Sequence, residues 1–157
     1  MSQEFIRRWH EATPGTRSSK VYISADDLQV LVAKSLKGKL DKKFTLYTAD
    51  SQFYCPPLAD ARQIIDASTL DRKTWAGERF DCDDFALVLK SHFAEAAYAD
   101  GKRRAAHCFG IVWGMLPDCH AINWMVTNDL ELLFIEPQSD KIFSPRASDK
   151  DIWFMLV

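Results

Sequence analysis

The chain has 157 residues, of which 47% are hydrophobic and 27% charged, a composition typical of a globular protein with one core. Its 20 basic and 22 acidic residues give a net charge of -2, which gives no support for a nucleic-acid or anionic-membrane partner. No apolar run approaches the roughly 18 residues that a membrane span needs, and the first residues lack the apolar stretch of a signal peptide. We therefore expect a cytoplasmic location where the protein is synthesised, and no nucleic-acid or membrane partner.

The N-terminal part divides into a segment with a linker and the start of a domain. Residues 13–20 are rich in Thr, Ser, Pro and Gly, as linkers are, so residues 1–20 are interpreted as an N-terminal segment and residues 21–157 as one domain. Ser24 and Asp27 form a capping-box pattern before a helix that Gly38 ends. Short strands are predicted over 44–47 and 53–55, followed by a helix over 58–66.

A longer helix is predicted from Cys82 to Tyr98, because Phe85, Leu89 and Phe93 recur every four residues on one face. The pattern then changes to the two-residue period of strands. Five strands are predicted, over 106–115, 119–127, 130–136, 141–143 and 152–157. Helices followed by strands indicate an α+β fold in which the helix that carries Cys82 at its N-terminus packs on an antiparallel sheet.

The four cysteines are Cys55, Cys82, Cys108 and Cys119. Without a signal peptide the reduced state is expected, although an even count also permits disulfides. Cys55, Cys108 and Cys119 are interpreted as small buried or half-buried apolar residues. Cys82 differs from them because it lies among acidic residues at a predicted helix start.

The hairpin between the strands of His120 and Glu136 has two possible registers. A two-residue turn at Asn128 and Asp129 would place Glu131 opposite Val126 on an apolar face. A three-residue turn over 127–129 would instead pair Val126 with Leu130 and His120 with Glu136, and would keep that face uniformly apolar. Because alternation makes the registers exclusive and a lone buried carboxylate is costly, the second register is predicted, with His120 and Glu136 as cross-strand neighbours.

A thiol, an imidazole and a carboxylate are the parts of a cysteine-nucleophile enzyme. The helix N-terminus favours a thiolate at Cys82, but the surrounding carboxylates oppose it, so contact with His120 is required. Glu136 would orient the imidazole. The amide of Cys82 would be one oxyanion donor, and Gln52 is a candidate for the second.

Three blocks carry a family resemblance: 80–86 (FDCDDFA), 120–124 (HAINW) and 135–138 (IEPQ). Over about residues 40–145 the chain resembles the papain-like cysteine-protease domain of fungal agglutinins of the Marasmius oreades type, and similar stand-alone bacterial and phage proteins. The resemblance implies a papain-like or transglutaminase-like fold and a catalytic triad of Cys82, His120 and Glu136. It also implies possible calcium dependence, with Asp81, Asp83 and Asp84 as candidate ligands. The lectin domain of these agglutinins has no counterpart here, so glycan targeting is not expected to carry over.

Three functions stay open at this point. The first is a cysteine peptidase or amidase that acts on a peptide or protein substrate and needs no cofactor for its chemistry. A transglutaminase-like acyltransferase would use the same triad. The third is a non-catalytic binding module, or a phage- or secretion-associated structural module, on the same scaffold. For the acidic run, helix capping by Asp81, Asp83 and Asp84 is the alternative to a metal site.

Overall fold

A computed structural model describes residues 20–157 of the chain. The predicted N-terminal segment therefore lies, except for Lys20, outside the described residues. The elements in chain order are β1 (Val21–Ser24), α1 (Ala25–Ser35), β2 (Leu40–Tyr47), β3 (Gln52–Cys55), α2 (Leu58–Ser68), a 3-10 turn (Leu70–Arg72), α3 (Cys82–Ala99), β4 (Phe109–Met115), β5 (Cys119–Val126), β6 (Leu132–Glu136), β7 (Lys141–Phe143) and β8 (Lys150–Leu156). Among these residues, no helix is both long and apolar enough to cross a membrane.

Two of the three predicted helix starts, those of α1 and α3, are built by side-chain capping. Ser24 Oγ accepts a hydrogen bond from the amide of Asp27 at 3.1 Å, which satisfies a free donor of α1. Asp81 and Asp84 form a reciprocal capping box at the start of α3. Helix α3 therefore begins at Cys82, as the sequence predicts.

The main sheet has six strands in the order β2-β8-β4-β5-β6-β7, and β1 pairs with β3 in a separate two-stranded sheet. Strand β2 pairs with β8 in parallel, whereas the other pairs of the main sheet are antiparallel. The prediction of an antiparallel sheet is therefore wrong. The sheet is mixed because the last strand enters between β2 and β4, a pairing distant in sequence that local periodicity does not reveal.

Two layers cover the two faces of the main sheet. Helices α2 and α3 bury one face through Phe85, Leu89, Phe93 and the strand residues Met125 and Ile135. Helix α1 and the β1–β3 sheet bury the other face. The buried residues of that second layer include Leu28, Val32, Leu36, Phe53, Val112, Ile122, Trp124, Phe134 and Met155. Strand β5 therefore contributes alternate residues to two separate cores.

The β5–β6 hairpin differs from the predicted register by two residues. Trp124 pairs with Phe134 and Val126 with Leu132, and the loop is 128–130, closed by the Thr127 amide donating to Glu131 O at 3.0 Å. Leu130 takes the left-handed conformation, with φ 60°. The apolar face of the prediction is retained, because a shift of two residues preserves alternation.

The shift has a physical cause in the layer that covers the other face of the hairpin. In the predicted register Glu131 would lie opposite Met125, whose face is covered by α3. In the observed register Glu131 lies at the exposed end of the hairpin, and Leu133 takes the position opposite Met125. Avoiding a buried carboxylate outweighs the strain of a left-handed leucine.

Gly110 is required where β4 passes under the indole of Trp124. A Cβ at residue 110 would lie 1.8 Å from Leu156 O and 2.6 Å from Trp124 Nε1. We predict that Gly110→Ala lowers the free energy of unfolding by about 2–4 kcal/mol, because strand backbone would have to move. Urea unfolding measures the change. Gly101→Ala, where a Cβ meets nothing within 4 Å, is the matched control, and equal stability of the two variants would contradict the prediction.

His107 connects α3 to the start of β4 as a neutral side chain. Its Nδ1 donates to Phe93 O at 3.0 Å, its Nε2 accepts from Arg103, and the residue is 4% exposed. Burial is the main cause that lowers the pKa of His107 to about 3, and the Arg103 charge adds to it.

Acid should therefore destabilise the protein through His107. Between about pH 6.5 and pH 3, His107 is protonated in the unfolded chain but neutral in the folded protein. The free energy of unfolding is therefore highest above about pH 6.5 and falls as the pH is lowered through this range. One such group contributes at most about 1.4 kcal/mol per pH unit. Denaturant unfolding between pH 7 and 4 measures the slope of the free energy of unfolding against pH. In His107→Gln this slope should correspond to about one proton fewer taken up on unfolding. An unchanged slope in the variant would contradict this assignment.

Candidate functional site

His120 and Glu136 form a hydrogen-bonded pair at the end of β5 and β6. His120 Nε2 donates to Glu136 Oε2 at 2.7 Å, and the two side chains are 23% and 24% exposed. Glu136 Oε1 also accepts from the amide of Gln138 at 3.2 Å. The predicted contact between His120 and Glu136 is confirmed, although the register makes them diagonal and not direct cross-strand neighbours.

This pair faces away from helix α3. Along β5, Ala121 packs with Ala86 of α3, and Asn123 Nδ2 donates to Ala86 O at 2.9 Å. Ile122 and Trp124 belong to the opposite core. By alternation His120 lies on the face of Ile122, and both residues line the same pocket.

Cys82 lies on the other face of the sheet. Its side chain packs against the cluster of Ala86, Ile111 and Ala121 beneath the first turn of α3. Within residues 20–157, no hydrogen bond joins the Cys82 thiol to the His120 imidazole. The structure thus brings two members of the predicted triad together and leaves the thiol outside their hydrogen-bonded pair.

Gln52, the predicted second oxyanion donor, lies in the two-stranded sheet. It is the first residue of β3, is exposed, and pairs with Ser24 of β1. Among the described residues no hydrogen bond links Gln52 with Cys82. An oxyanion site shared by these two residues therefore has no support in the geometry.

The acidic residues around Cys82 serve the helix start. Asp81 and Asp84 are engaged in the capping box, and a hydrogen bond with Asp81 raises the pKa of Asp83, with burial adding to the shift. Asp81, Cys82 and Asp83 each place one potential ligand atom within 4.8 Å of the others. Calcium takes six to eight oxygen ligands, and two carboxylates with a thiol fall short of that set. Calcium binding by Asp81, Asp83 and Asp84 stays a prediction.

A polar pocket of about 340 Å³ surrounds His120 and Glu136. The other polar and aromatic residues that line the pocket, which no sequence pattern marks as site residues, are Asp118, Lys141, Phe143 and Arg146. Lys141 lies opposite Glu136 in the β6–β7 register, and the Arg146 guanidinium lies 4.5 Å above the Phe143 ring. The alternating period of 141–143 marks a strand, but nothing in the sequence indicates that it borders Glu136.

Arg146 is held in place by a buried carboxylate. Its guanidinium donates to Asp149 Oδ1 at 2.9 Å and to Leu116 O at 3.1 Å, and Asp149 is 1% exposed. Because Asp149 and Leu116 both hold the planar guanidinium, Arg146 has little rotamer freedom left to lose when a ligand binds. The pocket therefore combines acceptors, donors and one aromatic ring in a fixed arrangement.

The family model described as agglutinin C-terminal matches residues 53–142, more than half of the chain. The chain belongs to this family. A search of curated proteins found no match. The resemblance to fungal agglutinins is confirmed at the level of the family, whereas its assignment to a papain-like protease domain is not supported.

Two solved structures are similar over most of the chain. One is titled "PSL1a-E64 complex", with 25% identity, a TM-score of 0.74, and 92% of this chain and 56% of that chain covered. The other is the Polyporus squamosus lectin bound to the human-type influenza-binding epitope Neu5Aca2-6Galb1-4GlcNAc, with 25% identity, a TM-score of 0.72, and 92% and 55% covered. This chain thus spans about half the length of each.

These similarities correct two predictions. The papain-like or transglutaminase-like fold class is wrong, because the matching fold is the mixed, sheet-rich fold found in the Polyporus squamosus lectin. The prediction of a cysteine peptidase, or any hydrolase, is also contradicted, because the matching family is described as agglutinin C-terminal and one of the two similar structures is titled as a lectin. Cys119 is a smaller correction, since it is exposed at the pocket and not buried.

The opposite faces of Cys82 and His120 lead to a direct prediction. Alkylation of Cys82 by iodoacetamide should proceed at the same rate, within about twofold, in wild type and His120→Ala, because the imidazole does not contact the thiol and its removal leaves the surroundings of the thiol unchanged. Mass spectrometry of each cysteine peptide across pH measures the rates, with exposed Cys119 as the internal reference. A tenfold or larger loss of Cys82 reactivity in the variant would show that thiol and imidazole do meet.

Proposed function

We propose that this chain is a non-catalytic ligand-binding domain of the agglutinin type, and that its ligand is a carbohydrate held in the pocket of His120 and Glu136. The pocket carries the proposal: a carboxylate, an imidazole, an ammonium and a guanidinium line one cavity beside an aromatic ring. Its volume of about 340 Å³ falls within the usual range of small-molecule sites, about 300–1,000 Å³.

The charges of the pocket suit a hydroxyl-rich ligand. The lining carries charges of both signs, from Asp118 and Glu136 and from Lys141 and Arg146, so neither sign dominates the cavity. Paired donors and acceptors at fixed positions instead match hydroxyl groups, each of which donates and accepts. The Phe143 ring, stacked with Arg146, offers an apolar edge to the carbon face of a sugar.

The comparisons support the same class of ligand. The Polyporus squamosus lectin is titled as bound to a sialylated trisaccharide, and carbohydrate binding is extended to this chain as part of the proposal. The hydrogen bond of His120 with Glu136 then has a binding role: it orients the carboxylate in the pocket and needs no thiol.

Binding can be tested by isothermal titration calorimetry with Neu5Aca2-6Galb1-4GlcNAc and with Galb1-4GlcNAc. We expect saturable binding of at least one glycan. Glu136→Gln should weaken it about 10- to 100-fold, since a hydrogen bond to a charged group contributes about 1.5–3 kcal/mol. Glu131→Gln, at the exposed hairpin end away from the pocket, is the matched control and should bind like wild type.

Two outcomes would overturn the proposal. One is the absence of glycan binding by folded wild-type protein, or binding that Glu136→Gln leaves unchanged. The other is turnover of a fluorogenic peptide that disappears in Cys82→Ala, because a non-catalytic domain has no use for a nucleophilic thiol.

A further inference from the structure

Cys55 and Cys108 lie side by side where the two sheets meet. Cys55 is the last residue of β3, and Cys108 directly precedes β4. The residues before them, Tyr54 and His107, form a parallel bridge. The Tyr54 amide donates to Ala106 O at 2.7 Å, and the Cys108 amide donates to Tyr54 O at 2.6 Å.

This register directs the two thiols to the same side. The rings of Tyr54 and His107 contact each other on one face, with centroids 5.6 Å apart. Alternation then places Cys55 and Cys108 together on the opposite face, where both are 0% exposed in the same apolar cluster. Adjacent strands are about 4.8 Å apart, which falls within the Cα separation of about 4.4–6.8 Å found in disulfides.

The two thiols also differ in their acidity. Their side chains hydrogen-bond each other, and this bond lowers the pKa of Cys55. Burial raises the pKa of Cys108 well above its ordinary value. Cys55 is therefore the thiol that loses its proton first, and Cys108 is the partner that remains protonated.

We propose that Cys55 and Cys108 form a reversible redox site that closes to an intramolecular disulfide, with a peroxide as the oxidant. The Cys55 thiolate attacks one peroxide oxygen, the O–O bond breaks, and hydroxide leaves with a sulfenic acid on Cys55. The Cys108 sulfur then attacks the Cys55 sulfur, and water leaves as the thiol proton is released. One hydrogen peroxide is reduced to two waters while two thiols are oxidised to one disulfide.

Closure would connect the β1–β3 sheet to the six-stranded sheet by a covalent bond. In the reduced form this edge is held by the short backbone bridge at Tyr54 and by apolar contacts. A disulfide between segments far apart in sequence constrains the unfolded chain, and so raises stability. The site is separate from the glycan pocket, and its test does not depend on ligand binding.

The experiment uses the Cys82→Ser/Cys119→Ser variant, which retains only the buried pair. The variant is treated with hydrogen peroxide, digested with trypsin without reduction, and analysed by mass spectrometry. We expect a cross-linked pair of peptides, one containing Cys55 and one containing Cys108, and a Tm about 5 °C higher than in the reduced protein. Dithiothreitol should reverse both changes.

The same variant with Cys108→Ser added is the control, and it should give oxidised Cys55 without a cross-link. Wild-type protein provides the reference dose, because its exposed Cys119 reports how much peroxide oxidises an accessible thiol. The proposal fails if Cys55 and Cys108 stay reduced at doses that fully oxidise Cys119. It also fails if they are oxidised to sulfinic or sulfonic acids without a cross-link.

Discussion

Asn123 and Trp124, adjacent residues of β5, connect the central sheet to the elements on both sides of it. Asn123 Nδ2 donates to Ala86 O of α3 and to Gly110 O of β4. Trp124 Nε1 donates to Ile111 O of β4 and Leu156 O of β8, at 3.2 Å each. Both side chains are fully buried, so each bond satisfies a polar group that would otherwise be costly. The faces that β5 presents to α3 and to α1 follow from this pair.

The arrangement of the pocket around His120 and Glu136 depends on which face of the sheet each β5 side chain occupies. Once Asn123 points to α3, alternation directs His120 away from the helix that carries Cys82, and toward the strands of Glu136 and Lys141. Because side chains alternate along β5, Cys82 and His120 lie on opposite faces of the sheet, in different surroundings. The His120 imidazole hydrogen-bonds the Glu136 carboxylate, and the cavity around them is lined by side chains of both charges.

Local sequence patterns were sufficient for most elements. Capping residues and apolar periods predicted α1 and α3 within a residue or two, because these signals act between neighbours in the chain. The hairpin contact of His120 with Glu136 was predicted from the apolar face of one layer. Its register was missed because the second layer, formed by α3, excludes Glu131 from the position opposite Met125. The parallel pairing of β2 with β8 and the pocket residues Lys141 and Arg146 depend on contacts between distant segments, which no local pattern encodes.

The position of β8 has a consequence for synthesis on the ribosome. Strand β8 lies between β2 and β4, so the nascent chain makes both neighbours long before the strand that joins them. Until residues 150–156 leave the exit tunnel, β2 and β4 each keep an unpaired backbone edge, and the apolar layer beneath Trp124 stays open to water. Such edges are the surfaces that recruit chaperones or associate with other chains. Among the described strands, β8 is therefore the one that joins β2 to β4 and closes the core.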